Sequence, residues 1–305
     1  LWSTYPIATA QHIGGALQQL SGLPWVADFR DPMLEIDEKT QQPFPSDKRL
    51  WNARERIERR VYKNAAKVVF TTRGAKKIFK ERYDIDDDSR LAIVSNGFEE
   101  EKFADLVFDA PVRNGKKTLL HSGTLYPSDD RHPKYFFEAL SKLKKEGVVS
   151  SANLNVILRA TGYDDIYSNL ISEKKLDDIV SLKPAIPYSK ALQEMTSVDG
   201  LLVFQGYTSN PAIPAKIYEY FRAKRPIFAM VDSKGDTAHL LDQLNTGIRV
   251  SLTSADEIRG GLLAFLDSKT NKHESILDGK SIATFSREQL TQELSLLFNS
   301  IVPHD

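Results

Sequence analysis

Short apolar runs alternate with longer amphipathic stretches along the 305-residue chain, and this alternation constrains the fold most strongly. The runs are rich in Val, Ile, Leu and Phe on consecutive positions, which is typical of parallel strands buried on both faces. Strand and helix in strict alternation predict an α/β fold with doubly wound parallel sheets. The predicted strands are 1–4, 24–29, 67–71, 91–94, 118–121, 154–159, 179–182, 200–204, 226–230 and 247–250. The predicted helices are 8–20, 47–65, 73–82, 133–146, 189–196, 213–223, 237–244, 255–267 and 286–301.

Hydroxyl side chains stand where helix N-termini are expected. Thr72, Ser189 and Ser254 each precede a helical pattern, and a side-chain oxygen there can accept a hydrogen bond from a free backbone N–H. Glu257 follows Ser254 by three residues, which predicts a capping box.

The stretch 99–116 is charged, punctuated by Pro and Gly, and has little periodicity, so it indicates a linker. We therefore predict an N-terminal domain over 1–110, a C-terminal domain over 111–285, and a last helix within 286–305 that packs back toward the N-terminal domain. Four predicted strands precede the linker and six follow it. Because the chain starts at Leu1 within a strand pattern, we expect the N-terminal domain to be incomplete at its start.

Composition excludes several classes of function. Cysteine is absent, which removes disulfides, thiolate zinc sites and cysteine nucleophiles. The net charge is zero, which argues against a nucleic-acid-binding protein. Motifs for a nicotinamide-binding fingerprint, a P-loop, a zinc protease helix or a nucleophile elbow are absent, and we predict no metal site. With no glycosylation sequon and no apolar run of ~18 residues, we expect a cytoplasmic protein.

The first candidate cluster follows the strand at 24–29 and contains Asp28, Arg30 and Asp31. Ligands of open parallel sheets bind outside the carboxyl ends of the strands, so these groups are candidates for catalysis or for orienting a sugar. A carboxylate could accept a proton, and the arginine could pair with a carboxylate or a phosphate. A local ion pair in a turn is the alternative.

The second cluster follows the strands at 118–121 and 154–159. A glycine beside a small hydroxyl residue, Gly123–Thr124, lets backbone N–H groups approach a ligand, and Arg131 follows before the next helix. Arg159 ends an apolar strand, where a cation needs a partner or a phosphate. A plain turn and a surface arginine are the alternatives.

The third cluster leads into the helix at 213–223. Lys216 lies in the first helical turn, where a cation works against the helix dipole unless a bound anion shares the site. Glu219 lies three residues on, on the same face, so the pair could offer a cation to phosphate and a carboxylate to a ribose diol. An ion pair on a solvated face is the alternative.

The helix predicted at 47–65 is basic. Arginines and lysines outnumber its two glutamates, and Leu50, Trp51, Ile57 and Val61 form an apolar stripe. The favoured interpretation is a solvated outer helix whose stripe faces the core. The alternative is a peripheral contact between this helix and anionic lipid at the inner face of the cell membrane.

Together these segments resemble the GT-B glycosyltransferases, and within them the group 1, or family 4, type. The resemblance rests on GLPWVADFRDP (22–32), KVVFTT (67–72), SNGFE (95–99), LLHSGTLY (119–126), the stretch 185–204 and IPAKIYEYFRAKRPIFA (213–229). It implies two facing Rossmann-like domains. It also implies a nucleotide-diphospho-sugar donor on the C-terminal domain, an acceptor against the N-terminal domain and catalysis in the cleft.

Site residues follow from the resemblance position by position. Glu219 matches the family's ribose-binding glutamate, and Ala185 lies where the family's chain borders the base. Lys216, Arg159 and the Gly123–Thr124 turn lie where the diphosphate would be held. Asp28, Arg30 and Asp31 lie where the family places a catalytic or sugar-orienting group.

Two departures from the family pattern stand out. Many members carry a second glutamate eight residues before the ribose-binding one, and here that position is Pro211, with Asn210 as a substitute. The family's Gly-rich N-terminal loop is absent from this sequence.

The resemblance implies transfer of a sugar to a hydroxyl of a glycan or a lipid-linked acceptor, with retention of configuration and no obligatory cofactor, in polysaccharide or lipopolysaccharide biosynthesis. A nucleotide-sugar epimerase of the same fold and a non-catalytic two-lobed sugar- or nucleotide-binding protein remain as alternatives.

Overall fold

The computed structural model describes residues 1–108, 115–128, 130–267 and 278–302. The chain divides into two compact units. Unit 1 comprises Leu1–Gly97, Pro211–Ile213 and Thr284–Asp305, and unit 2 comprises Phe98–Asn210 and Pro214–Ala283. The main division therefore falls between residues 97 and 98, beside the stretch that the sequence marks as a linker.

Unit 1 is built on a parallel sheet with the strand order β1-β2-β5-β6, beside a small antiparallel pair formed by β3 and β4. Its strands are Trp2–Thr4 (β1), Val26–Arg30 (β2), Glu35–Ile36 (β3), Pro43–Phe44 (β4), Lys67–Phe70 (β5) and Leu91–Ile93 (β6). Its helices are Ala8–Ser21 (α1), Lys48–Asn64 (α2), Arg73–Arg82 (α3) and Arg287–Asn299 (α11).

Close packing of α1 explains two adjacent glycines in a helical pattern. A Cβ at Gly14 would lie 2.7 Å from both Ser3 Oγ and Trp25 Nε1, and a Cβ at Gly15 would lie 2.6 Å from Arg60 Cδ. Neither position has room for a larger side chain, so these glycines let α1 approach β1 and α2 closely.

Unit 2 has a parallel sheet with the strand order β12-β11-β10-β7-β8-β9, which is the order of a Rossmann sheet. Every residue of β10 and β11 is buried, as their continuous apolar pattern predicts. The chain order reverses between β7 and β10, which makes the carboxyl ends of these strands the expected ligand position. The strands are Lys117–Ser122 (β7), Leu154–Arg159 (β8), Val180–Lys183 (β9), Gly200–Gln205 (β10), Ile227–Val231 (β11) and Ile248–Val250 (β12).

The helices of unit 2 lie between and after these strands in the chain. They are Lys134–Lys145 (α4), Asp164–Glu173 (α5), Tyr188–Ser197 (α6), Lys216–Ala223 (α7), Asp236–Gln243 (α8), Ala255–Leu266 (α9) and Gly279–Ala283 (α10). Short 3-10 turns occur at Glu100–Phe103 and Tyr207–Ser209. None of the described helices combines the length and the apolar character that crossing a bilayer requires.

Every strand and helix predicted above has a counterpart in the described residues, with ends displaced by up to three residues. The prediction missed α5, α10 and the β3–β4 pair. Helix α10 and the β3–β4 pair are too short to show a hydrophobic periodicity. The main sequence signal of α5 is the pair of aspartates in its first turn, Asp164 and Asp165.

Two of the three predicted N-caps are confirmed. Thr72 accepts a hydrogen bond from Ala75 N at 3.1 Å, and Ser254 accepts one from Glu257 N at 3.2 Å. The cap at Ser189 is wrong, because α6 begins one residue earlier, after Pro187. The capping box differs too, since Glu257 Oε2 accepts from the N–H of Ser251 at 3.0 Å.

Candidate functional site

The turn that follows β7 lies at the switch point of the unit 2 sheet. Gly123 has a φ of 112°, which strongly favours glycine, and its N–H donates to the Arg159 carbonyl at 2.9 Å. The N–H of Ser122 donates to the Tyr220 hydroxyl at 3.3 Å. A Cβ at position 123 would lie 3.0 Å from Lys216 Nζ. The turn therefore places bare backbone against a lysine ammonium.

Lys216 is the first residue of α7, and its Nζ lies 3.3 Å from His121 Nε2. Within the described ranges, no carboxylate oxygen lies within 4 Å of this ammonium. Burial and then the charge of Arg131 lower the Lys216 pKa to about 8, against a smaller opposing effect of Glu219. The ammonium is thus held where its charge is poorly compensated.

His121 is buried in β7, with 2% of its surface exposed. Its Nδ1 lies 3.0 Å from the Leu202 carbonyl oxygen, and its ring meets the Phe204 ring edge-on at 5.3 Å. Burial and the neighbouring Lys216 charge hold the His121 pKa well below its ordinary value. The imidazole is therefore neutral near neutral pH.

Arg131 supplies the second cation. Its guanidinium lies over the Tyr126 ring at 5.3 Å, and its Nε is 3.5 Å from Asp130 Oδ2. That Nε is buried and has no hydrogen-bond acceptor among the described residues. The Arg131 charge lowers the pKa of both Lys216 and His121, so the two cations lie close enough to repel each other beside this turn.

Glu219 lies one helical turn beyond Lys216 on α7. Its Oε1 accepts a hydrogen bond from the Tyr188 hydroxyl at 2.6 Å, and its charge raises the Lys216 pKa. Lys216 and Glu219 thus face the same region without forming the ion pair that the sequence left open as an alternative. Tyr188, at the start of α6, orients the carboxylate.

Arg159 is engaged by groups outside the Gly123 turn. It donates from Nε and Nη2 to the carboxylate of Glu194, with an Nη2–Oε1 distance of 2.6 Å, and from Nη1 to the Pro184 carbonyl at 2.7 Å. The ion pair raises the Arg159 pKa. The side chain therefore fastens the loop between β9 and α6, while its backbone carbonyl supports the Gly123 turn.

An open cavity of about 640 Å³ lies beside this loop, and Ala185 forms part of its wall. Pro184, which Arg159 holds, is also part of the wall, so the arginine shapes this cavity through the loop. The other lining residues come from the segment after β8 and the start of α5: Ala160, Gly162, Tyr163, Asp164, Asp165 and Ile166.

Asn210 ends the 3-10 turn after β10, and Asp130 fixes that turn. The Asp130 carboxylate accepts from Thr208 Oγ1 at 2.5 Å and from Ser209 Oγ at 2.7 Å. The Asn210 carbonyl accepts from Asp236 N at 2.8 Å. Since Asp130 precedes Arg131, one carboxylate ties the loop that bears a candidate cation to the loop that bears Asn210.

The other candidates, Asp28, Arg30 and Asp31, belong to unit 1. Asp28 lies within β2 and accepts from Thr4 Oγ1 at 3.0 Å and from the N–H of Arg30 at 3.1 Å. Arg30 has a φ of 55° at a bulge in the β2–β5 pairing, and its Nη2 donates to Asn96 Oδ1 at 3.0 Å. Asp28 is thus a half-buried, fixed carboxylate, and burial raises its pKa.

Of the two carboxylates, Asp31 is the exposed one. The protein packed around its carboxyl raises its pKa, while the charge of Arg30 and a hydrogen bond from Thr71 oppose that rise. An exposed carboxylate with a raised pKa suits proton transfer better than the fixed carboxylate of Asp28 does.

The structure brings Gly123, Arg131, Lys216 and Glu219 together, with the exposed Thr124 beside the turn. Sequence reasoning missed the contributions of His121, Tyr188, Glu194 and Asp130. A histidine inside an apolar run is a usable signal, and Asp130 adjoins the candidate Arg131. Tyr188 and Glu194 meet Glu219 and Arg159 only through contacts distant in sequence. Among the described residues, no group of three or more histidines and carboxylates could hold a metal ion.

Comparisons of sequence identify no relative: no family model and no curated protein matches the chain. Comparisons of structure find proteins of similar fold. Anabaena HepE in complex with UDP matches with a TM-score of 0.73 and 13% identity, over 98% of this chain and 78% of HepE. A glycosyltransferase from Rickettsia africae matches with a TM-score of 0.69 and 14% identity, over 99% and 76% of the two chains.

Sucrose-phosphate synthase from Thermosynechococcus elongatus is a third match, with a TM-score of 0.68 and 12% identity over 98% of this chain and 72% of that one. At such identities a structural match establishes the fold alone. The expectation of two Rossmann-like parallel sheets is confirmed, and the chain has the GT-B fold of these structures.

Proposed function

We propose that this chain is a glycosyltransferase that moves a sugar from a nucleoside-diphospho-sugar to an acceptor hydroxyl. One observation carries the proposal: two cations, Lys216 and Arg131, converge beside the bare backbone of Gly123, and no carboxylate neutralises Lys216 in the described residues. A diphosphate supplies the missing negative charge. A glycine turn, a helix N-terminus and cations are the groups that bind it.

The ribose, the base and the sugar of the donor each have a proposed contact as well. Glu219, oriented by Tyr188, accepts hydrogen bonds from the ribose hydroxyls, and the cavity beside Ala185 receives the base. Asn210 contacts the donor sugar in place of the family glutamate that Pro211 replaces. UDP is the first candidate nucleotide, because HepE matches this chain in structures with UDP and with UDP-glucose.

The chemistry follows from these roles. The acceptor oxygen forms a bond to the anomeric carbon on the face from which the nucleoside diphosphate departs, so that configuration is retained. The bond from that carbon to the β-phosphate oxygen breaks, and the nucleoside diphosphate leaves with the electron pair. Lys216 and Arg131 stabilise the charge that develops on the leaving group. Asp31 accepts the hydroxyl proton, and the charge of Arg30 opposes the rise in pKa that burial causes at both neighbouring carboxylates.

The acceptor we propose is a glycan or a lipid-linked sugar in polysaccharide or lipopolysaccharide biosynthesis, with retention of anomeric configuration. Support for this part comes from the sequence resemblance to family 4 enzymes. The stereochemistry of the product, measured by NMR of the first-formed anomer, tests it directly.

A ligand screen tests the core of the proposal. The unfolding temperature, measured with UDP, GDP, dTDP and ADP, should rise for one base, because a ligand that binds only the native state stabilises it by mass action. Transfer assays with the matching nucleotide sugars then follow. Interconversion of the sugar without transfer would point to an epimerase, and tight binding without turnover to a binding protein.

Replacing Glu219 by Gln should weaken UDP binding about tenfold, because a charge-assisted hydrogen bond to the ribose is lost. The measurement is calorimetric titration with UDP and with 2′,3′-dideoxy-UDP. The wild-type chain should prefer UDP, and the variant should show a smaller preference, because its amide oxygen accepts only an uncharged hydrogen bond.

Tyr188→Phe is the matched control for this substitution, because it removes the hydroxyl that touches Glu219 but keeps the carboxylate. It should retain the preference for UDP over the dideoxy ligand. An unchanged preference in Glu219→Gln would show that this carboxylate does not bind the ribose.

We also propose a peripheral contact between α2 and an anionic membrane. Lys48, Arg49, Arg56 and Lys63 are exposed on α2, and Arg59, also exposed, pairs with Glu55 at 2.7 Å. Exposed cations near a surface attract anionic lipid with about 1 kcal/mol each. The chain should cosediment with phosphatidylserine vesicles at low salt, and the double substitution Arg49→Glu and Arg56→Glu should abolish this cosedimentation. Equal cosedimentation with neutral vesicles would contradict an electrostatic contact.

A further inference from the structure

Backbone contacts with Leu202 and Gly123 both raise the pKa of the His121 ring, and the geometry of the Leu202 contact assigns its tautomer. A carbonyl oxygen can only accept, so the contact of 3.0 Å between Nδ1 and the Leu202 oxygen places the proton on Nδ1. The imidazole is neutral, because burial and the Lys216 charge disfavour a second proton. Nε2 therefore has a free lone pair, and the Lys216 ammonium donates to it at 3.3 Å.

The identity of this acceptor matters for the charge of Lys216. A carboxylate in the same place would hold the ammonium more tightly but would neutralise it. Glu219, the nearest carboxylate along α7, accepts from Tyr188 instead. The charged groups that face Lys216 are Arg131, which repels it, and Glu219, which attracts it more weakly. A neutral imidazole is an acceptor that fixes the ammonium and leaves its charge available.

The Lys216 ammonium is also held in a fixed direction. Nζ lies 3.0 Å from where a Cβ of Gly123 would be, so the side chain is held over the turn after β7. His121 sits at the end of β7, two residues before this glycine, and the strand fixes both. We propose that His121 is a positioning residue, which holds the Lys216 ammonium over the Gly123 turn so that its charge is free for a ligand diphosphate. This inference rests on the proposed function.

Two substitutions separate the two hydrogen bonds of the ring. His121→Asn keeps a donor for the Leu202 carbonyl and loses the acceptor for Lys216, whereas His121→Gln can place an oxygen where Nε2 lies. We expect His121→Asn to weaken UDP binding about tenfold and His121→Gln to stay within about threefold of the wild type, as for a hydrogen bond to a charged group. Equal losses in the two variants would overturn the proposal.

A double-mutant cycle shows whether His121 acts through Lys216. In a Lys216→Met background, His121→Asn should cause no further loss of UDP affinity, because the group that it positions is already gone. A merely structural role would give the same tenfold loss in both backgrounds, and that result would overturn the proposal.

A measurement without ligand keeps the inference separate from the proposed function. Nitrogen NMR of labelled histidine should show Nδ1 protonated and Nε2 unprotonated, and Lys216→Met should shift the Nε2 resonance. A proton on Nε2 in the wild-type chain would overturn the inference, and this result does not depend on the folding of any variant. An unshifted Nε2 resonance in Lys216→Met would overturn it as well. The expected spectra combined with no binding of pyrophosphate, UDP, GDP, dTDP or ADP would instead overturn the proposed function and, with it, the role for a diphosphate.

Discussion

Lys216→Met is expected to weaken UDP binding at least ~100-fold, because it removes a buried cation from a site whose ligand carries the opposite charge. Met keeps the length and the apolar stem of the side chain, so the change isolates the ammonium. Calorimetric titration with UDP and with inorganic pyrophosphate measures the loss. Both ligands should be affected alike, because the lysine contacts the diphosphate and not the base.

The pH dependence of binding provides a second signature of the same lysine. The free-state pKa of Lys216 is about 8, and a bound diphosphate raises that pKa by stabilising the ammonium. The proton is therefore required for tight binding, and UDP affinity should fall about tenfold per pH unit above about pH 8. In Lys216→Met this decline should be absent.

The stability of the ligand-free wild-type chain should rise with pH over the range in which its UDP affinity falls. The folded-state pKa of Lys216 lies below its unfolded value of about 10.4, so the native state binds this proton poorly. The cost is fully present below about pH 8 and fades as the pH rises toward the unfolded value. The stability of Lys216→Met relative to the wild type should therefore fall as the pH rises from about 7 to about 10, measured by urea unfolding without ligand.

Lys190→Met is the matched control for these measurements, since it removes an exposed lysine from the neighbouring helix α6. It should leave UDP binding, its pH dependence and stability nearly unchanged. If Lys216→Met binds UDP as tightly as the wild type does, the diphosphate does not bind at this place in the fold.

The sequence predicted the sheet of unit 2 well, because strands such as β10 and β11 are buried at every position and appear as unbroken apolar runs. It also placed Lys216 and Glu219 on one helix face. The helix itself starts three residues later than predicted, so Lys216 is its first residue rather than part of an established turn. Pro211 and Pro214 lead in without continuing the helix.

The surroundings of the charges were not predictable from local pattern. Arg159 ends an apolar strand, where a cation needs a partner or a phosphate, and its partner Glu194 lies 35 residues away on α6. His121 meets the Leu202 carbonyl because β7 pairs with β10, a contact across 81 residues. Both contacts depend on strand order, which a single sequence with no relatives does not specify.

The second large effect is expected in unit 1. Asp31→Asn should lower the rate of sugar transfer about 100-fold and leave UDP affinity unchanged, because general-base catalysis contributes about 10²–10⁴-fold and the amide cannot accept the proton. The proposed nucleotide site draws only on residues of unit 2, so binding is a separate readout. Steady-state kinetics with a saturating donor, beside calorimetric titration with UDP, measures both.

Asp28→Asn is the contrasting variant three residues away. Its carboxylate already accepts from Thr4 and from the backbone of Arg30, so its loss should disturb the β2 bulge and lower stability. The pH profile separates the two carboxylates. Surrounding protein raises the Asp31 pKa, so transfer should fall on the acid side as this base is protonated, and Asp31→Asn should flatten that limb. An acid limb that persists in Asp31→Asn and disappears in Asp28→Asn would assign the base to Asp28.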